Sequence, residues 1–117
     1  MIEIHTADPR NLVERINDAI SKNQIITWSV DSDGDYTHTL EQWKKNAWMR
    51  CAYDNSDPTL LRFVIIEPLN KKLSKAVYGV YHGRFAEMLL IHFDTLITSL
   101  KISPLLTQYD IYSKDKK

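Results

Sequence analysis

The run His82-Gly83-Arg84, with Glu87 on the following turn, groups the side-chain types that bind or process an anion. Imidazole and carboxylate move protons, and guanidinium holds phosphate or carboxylate through paired N–H donors. If Gly83 turns the chain from a strand into a helix, the helix start adds unpaired N–H groups and positive potential at the same place. Tyr78 and Tyr81 would then enter from the preceding strand. On that reading His82, Arg84 and Glu87 act on an anionic or phosphodiester substrate, such as a nucleotide or RNA. The plainer reading makes Gly83 a sharp turn and Arg84 and Glu87 the exposed side of an amphipathic helix.

A second constellation joins aromatic and basic residues: Trp43, Lys44, Lys45, Trp48 and Arg50, with Arg62 on a neighbouring strand. Aromatic rings stack bases while cations contact phosphates. The same rings equally serve a core or a protein interface. Tyrosine and tryptophan offer large contact area with a polar tip, so Trp43, Trp48, Arg50, Tyr78 and Tyr81 are also candidate protein-binding residues.

Other reactive types lack the spacing their chemistry needs. Asp31, Asp33 and Asp35 suggest a calcium loop. A loop frame begun at Ser29 puts Asp31, Asp33 and Gly34 in suitable places but leaves Leu40 where the final carboxylate belongs, so a solvated hairpin turn is expected and no metal. His82 and His92 lie about 80° apart around a helix, which defeats shared ligation. His92 and His38 read as hydrogen-bonded core or interface histidines. Cys51 has no activating neighbour in sequence and reads as a small buried side chain. With only Gly34, Gly79 and Gly83 available, no glycine-rich phosphate loop and no dinucleotide fingerprint exists. No cofactor is expected.

Composition sets the frame for these residues. The chain has 117 residues, with 15 basic and 15 acidic side chains and 44% hydrophobic residues. That suits one globular domain over residues 1–112 with a frayed tail at 113–117. A neutral chain lacks the basic surface of a sequence-independent nucleic-acid binder. One cysteine permits no internal disulfide and fits a reducing compartment. No apolar run reaches a membrane span, and no signal-like start is visible, so a cytoplasmic location without membrane contact is expected.

The elements that must position the candidates follow from periodicity. Ile2 and Ile4 alternate in a short strand at 2–6. Asp8-Pro9 starts a helix over 9–22, carried by Leu12, Val13, Ile16, Ala19 and Ile20. Strands at 25–30 and 36–40 flank an acidic turn. A three-residue loop with left-handed Gly34 pairs Val30 with Tyr36 and Trp28 with His38, which gathers Ile26, Trp28, Val30, Tyr36, His38 and Leu40 on one buried face. A turn at 41–45 leads to a strand at 47–53. The segment is also readable as a helix through Leu40, Trp43, Ala47 and Cys51. Residues 60–67 form a central strand, Lys75 to Tyr81 another, and 83–100 a second amphipathic helix through Phe85, Met88, Leu89, His92, Phe93, Leu96, Ile97 and Leu100. Residues 105–112 could add an edge strand.

The order β-α-β-β-β-β-β-α predicts a two-layer α+β sandwich: a mostly antiparallel meander of five or six strands with both helices on one face. With no complete catalytic motif, the leading expectation is a non-enzymatic protein-binding or accessory module. It would engage a partner protein, or a second copy as a homodimer, through an aromatic-rich sheet face. The alternative is the small enzyme built on His82, Arg84 and Glu87.

Overall fold

Two helices lie on one face of a six-stranded antiparallel sheet in a computed structural model, which describes residues 1–111. The elements are β1 (Ile2–His5), α1 (Pro9–Ser21), β2 (Trp28–Val30), β3 (Asp35–His38), β4 (Trp48–Tyr53), β5 (Leu60–Ile66), α2 (Lys75–His92), a short 3-10 turn (Asp94–Leu96) and β6 (Ser99–Ile102). Spatial order is β2-β3-β4-β5-β1-β6. The α+β sandwich expected from the sequence is therefore present. The anticipated tail at 113–117 lies outside the described residues.

Local chemistry explains most boundaries. The Asp8 carboxylate accepts from the Asn11 N–H and Pro9 opens α1, so the helix start needs no outside partner. Leu12, Val13, Ile16 and Ala19 bury one stripe. The β2–β3 hairpin has the register that burial demanded, Trp28 opposite His38 and Val30 opposite Tyr36, with Gly34 at φ +82°. Its buried set is shorter than expected. Pairing stops at Trp28 and His38, leaving Ile26 71% and Leu40 49% exposed. The ambiguous segment resolves into turn residues at 41–46 and the strand β4. β5 is interior, paired with β4 and β1.

Two assignments change. Residues 75–81 are the first half of α2, not a strand. Alternating Val and Tyr and the flanking Gly79 and Gly83 favour a strand locally. The stripe Val77, Tyr81, Phe85, Met88 and Leu89 is nevertheless helical and buried, and the Ser74 hydroxyl caps the start by accepting from the Val77 N–H. Both glycines fall on the exposed side, where they cost helix stability without ending the helix. At the other end α2 stops at His92 rather than at residue 100. Leu100 and Ile102 instead extend the sheet opposite Ile4 and Ile2. The observed order is thus β-α-β-β-β-β-α-β. Residues 105–111 form no strand, and only Ile111 makes a single parallel bridge to Ile66.

The core lies between the layers. Phe85 of α2 sits 5.0 Å from the Trp28 ring, 5.6 Å from Tyr36 and 4.7 Å from Phe63, joining three strands at one point. Ile2, Ile4, Leu61, Ile65 and Met49 complete the sheet side.

At Gly34 the backbone occupies the left-handed region, where a Cβ meets the following carbonyl. Gly34→Ala should cost about 1 kcal/mol, read as a lower urea midpoint with unchanged slope.

Candidate functional site

The expected trio His82, Arg84 and Glu87 does not assemble. On a helix, residues two apart point about 200° from each other. His82 accordingly faces inward, 2% exposed, while Arg84 and Glu87 face out. His38, across from α2 on β3, is the imidazole whose proton affinity responds to Arg84 and Glu87. It is buried between strands, its ring edge-on to Trp28 at 5.1 Å, and its Nδ1 accepts from the Leu40 N–H. Burial, reinforced by Arg84, holds it toward the neutral form. Its expected role as a core histidine is the observed one. His92, expected in the core or at an interface, is not in the core and is exposed at the end of α2.

His82 belongs to a latch that ties Met1 and the 103–110 segment to α2. Its Nδ1 lies 2.7 Å from the Tyr78 carbonyl and its Nε2 lies 2.8 Å from the Met1 ammonium. A carbonyl can only accept, so Nδ1 carries the proton and Nε2 accepts from the ammonium. The ammonium also donates to the Tyr78 hydroxyl at 3.2 Å and lies 3.5 Å from an Asp110 oxygen. Asp110 in turn accepts from the Ile65 and Thr107 N–H groups, and the Tyr78 hydroxyl donates to the Ser103 carbonyl. Every donor and acceptor in this cluster has a role in holding β1, the 103–110 segment and α2 together. Burial, then the nearby ammonium, lowers the His82 pKa to about 4.

The proposed recognition residues are scattered in the same way. Tyr78 and Tyr81 lie on α2, not on a strand. Tyr81 is fully buried. Its hydroxyl donates to the Trp43 carbonyl and lies 2.9 Å from the Thr37 hydroxyl, so it ties the 41–46 turn to the core. Trp43 packs against that core from the turn. Trp48 and Arg50 alternate with buried Met49 on the outer sheet face, and Trp48 stands opposite Ile66. Arg50 grips the fully buried Asp35 through two bonds of 2.7 and 2.8 Å. Arg62 binds Asp54 at 2.8 Å and lies under the Tyr109 ring. The outer face is therefore not uniformly aromatic. Its two arginines are committed to carboxylates, and Lys44 and Lys45 are exposed on a separate turn.

The acidic loop is a hairpin device. One Asp31 oxygen accepts from the Asp33 and Asp35 N–H groups, while Asp35 turns inward to Arg50. Cys51 is half-buried against the core, and burial keeps its thiol protonated.

Sequence reasoning missed an apolar opening. A cleft of about 500 Å³ lies between the start of α2 and the segment after β6, lined by Leu73, Ser74, Lys75, Tyr78, Gly79, Pro104, Leu105 and Leu106. Leu105 is 77% and Leu106 42% exposed. Tyr78 is the one sequence candidate that lines it. The signal available in sequence was the pair Leu105-Leu106 directly after Pro104, with no periodic element to bury it. Among the described residues no helix is long and apolar enough to cross a membrane.

Because His82 is neutral when folded and protonates near its ordinary value when unfolded, acid favours the unfolded chain. The stability His82 contributes should be complete above about pH 6.5 and fall by up to about 1.4 kcal/mol per pH unit toward pH 4. His82→Gln should flatten that slope in denaturant titrations run across the same range. Arg84→Ala, at an exposed position, should change stability by no more than about 0.5 kcal/mol, as followed by thermal melting.

The chain matches no family model, no curated protein and no solved structure, which leaves its own geometry as the ground for a functional reading.

Proposed function

We propose that this protein is a non-enzymatic binding module that takes an extended, leucine-bearing, acidic segment of a partner protein into the cleft between α2 and the 104–106 segment. The observation that carries this reading is the exposure of Leu105 and Leu106 beside an apolar opening. Contiguous exposed apolar surface mostly serves association. The acidic preference comes from charge. Lys71, Lys72 and Lys75 cluster where the chain enters α2, and the helix start adds positive potential. The Tyr78 ring forms part of the wall, while its hydroxyl is engaged by the Ser103 and Leu105 carbonyls and so holds the far wall in place.

The enzymatic alternative lacks a convergent group. His82 is sealed into the latch, and Arg84 and Glu87 face solvent. Against the nucleic-acid reading, Arg50 and Arg62, the described arginines on the face of Trp48, are held by carboxylates. A lone, protonated cysteine suits a reducing compartment such as the cytoplasm.

Peptide-display selection on the folded protein tests the reading. Enriched peptides should carry paired aliphatic residues beside Asp or Glu. Leu105→Glu should weaken them at least about tenfold, while its melting temperature stays near that of wild type because the side chain is exposed. Peptides that bind wild type and Leu105→Glu equally would sink the assignment.

A further inference from the structure

The sheet order ends at β6, so one side of this strand has no partner strand among the described residues. Its hydrogen-bond phase follows from its ladder with β1. Ser103 donates its N–H to the Met1 carbonyl, and in antiparallel pairs the bonded residues alternate. Ser99 and Lys101 therefore face β1, and Leu100 and Ile102 turn their N–H and C=O groups to the free edge. Thr98 is already drawn inward, with its N–H on the His5 carbonyl. Pro104 has no N–H to offer. The usable edge is thus two residues, Leu100 and Ile102, with a non-donor beyond them.

That short edge is self-complementary. When a twofold axis passes beside Lys101, Leu100 of each copy meets Ile102 of the other, and all four outward N–H groups and all four outward C=O groups pair. Moving the register by two residues toward Pro104 sets Leu100 against a residue without an N–H and loses bonds. The favoured register also continues the apolar face, because Leu100 and Ile102 stand opposite Ile4 and Ile2 on the core-facing side. On the other side Lys101 stands opposite Glu3, which binds Arg62 at 3.4 Å. The two Lys101 side chains meet at the axis with a carboxylate behind each, a like-charge contact that keeps the pairing weak and reversible.

We propose that β6 is a docking edge for a second copy of this chain, which joins the two sheets antiparallel across the Leu100–Ile102 edge into one twelve-stranded sheet. The interaction is isologous and closes at two copies. It uses the edge and not the cleft, so it goes beyond the partner-binding reading and survives or fails apart from it.

Sedimentation equilibrium up to about 1 mM protein should show the mass rising from 13.7 kDa toward twice that value with concentration. Lys101→Cys should form a covalent dimer on air oxidation, because directly opposed residues at the axis fall within disulfide reach. Lys22→Cys, exposed at the end of α1 and carrying the same Cys51, should not. Ile102→Pro removes one outward donor and leaves the β1 ladder, so it should remain monomeric. If that variant fails to fold, the two cysteine variants decide. A mass fixed at 13.7 kDa across the range, or equal cross-linking of Lys101→Cys and Lys22→Cys, overturns the proposal. Peptide binding measured on monomeric Ile102→Pro tests the cleft separately.

Discussion

The contact of Phe85 with Trp28, Tyr36 and Phe63 is the constraint on which the rest of this structure depends. Those rings come from β2, β3 and β5, so a single helical side chain sets where α2 lies across the sheet. Truncation of such a buried aromatic typically costs about 3–5 kcal/mol, a large share of the stability of a small domain. The edge-on contacts with Trp28 and Tyr36 and the tilted contact with Phe63 also fix the rotation of α2 about its own axis. That rotation turns His82 inward and Arg84 and Glu87 outward. The dispersal of the expected catalytic trio is thus a consequence of core packing.

Rotation of α2 also decides which polar groups meet. Tyr81 reaches the 41–46 turn, Tyr78 and His82 reach the Met1 ammonium, and Tyr78 also reaches Ser103. These contacts join segments distant in sequence, with separations up to 81 residues between Met1 and His82. They leave no buried side-chain polar atom without a partner among the described residues. A buried imidazole, ammonium and carboxylate resemble an acid–base centre by composition. Each group here is saturated by structural hydrogen bonds, which suits fastening better than chemistry. The outer surface repeats the pattern, since Arg50 and Arg62 neutralise Asp35 and Asp54.

The surfaces that carry the two proposals are apolar and peripheral. Residues 104–106, which line the cleft at the start of α2, follow β6 closely in the chain, and both features exist because α2 ends early enough for residues 99–102 to join the sheet. Had the helix run to residue 100, as its periodicity allows, Leu105 and Leu106 would not stand beside the first turns of α2. The two surfaces use different chemistry, side-chain burial in one and backbone pairing in the other.

Much of this fold was legible in the sequence because local patterns there were decisive. Asp8-Pro9 and an apolar stripe specify α1. Face matching across the acidic turn specifies the Trp28–His38 register and left-handed Gly34. The unbroken run Leu61–Ile66 specifies an interior strand. Residues 75–102 were not legible in the same way. Val and Tyr alternation disguises the start of α2, and Leu96, Ile97 and Leu100 satisfy a helical period while also serving a strand. Only pairing with β1, whose far edge needs a partner, resolves that second ambiguity. The site followed suit. Residue types near position 82 could suggest chemistry, but the direction in which each side chain points depends on how α2 packs, and long-range packing is not encoded in any short stretch of chain.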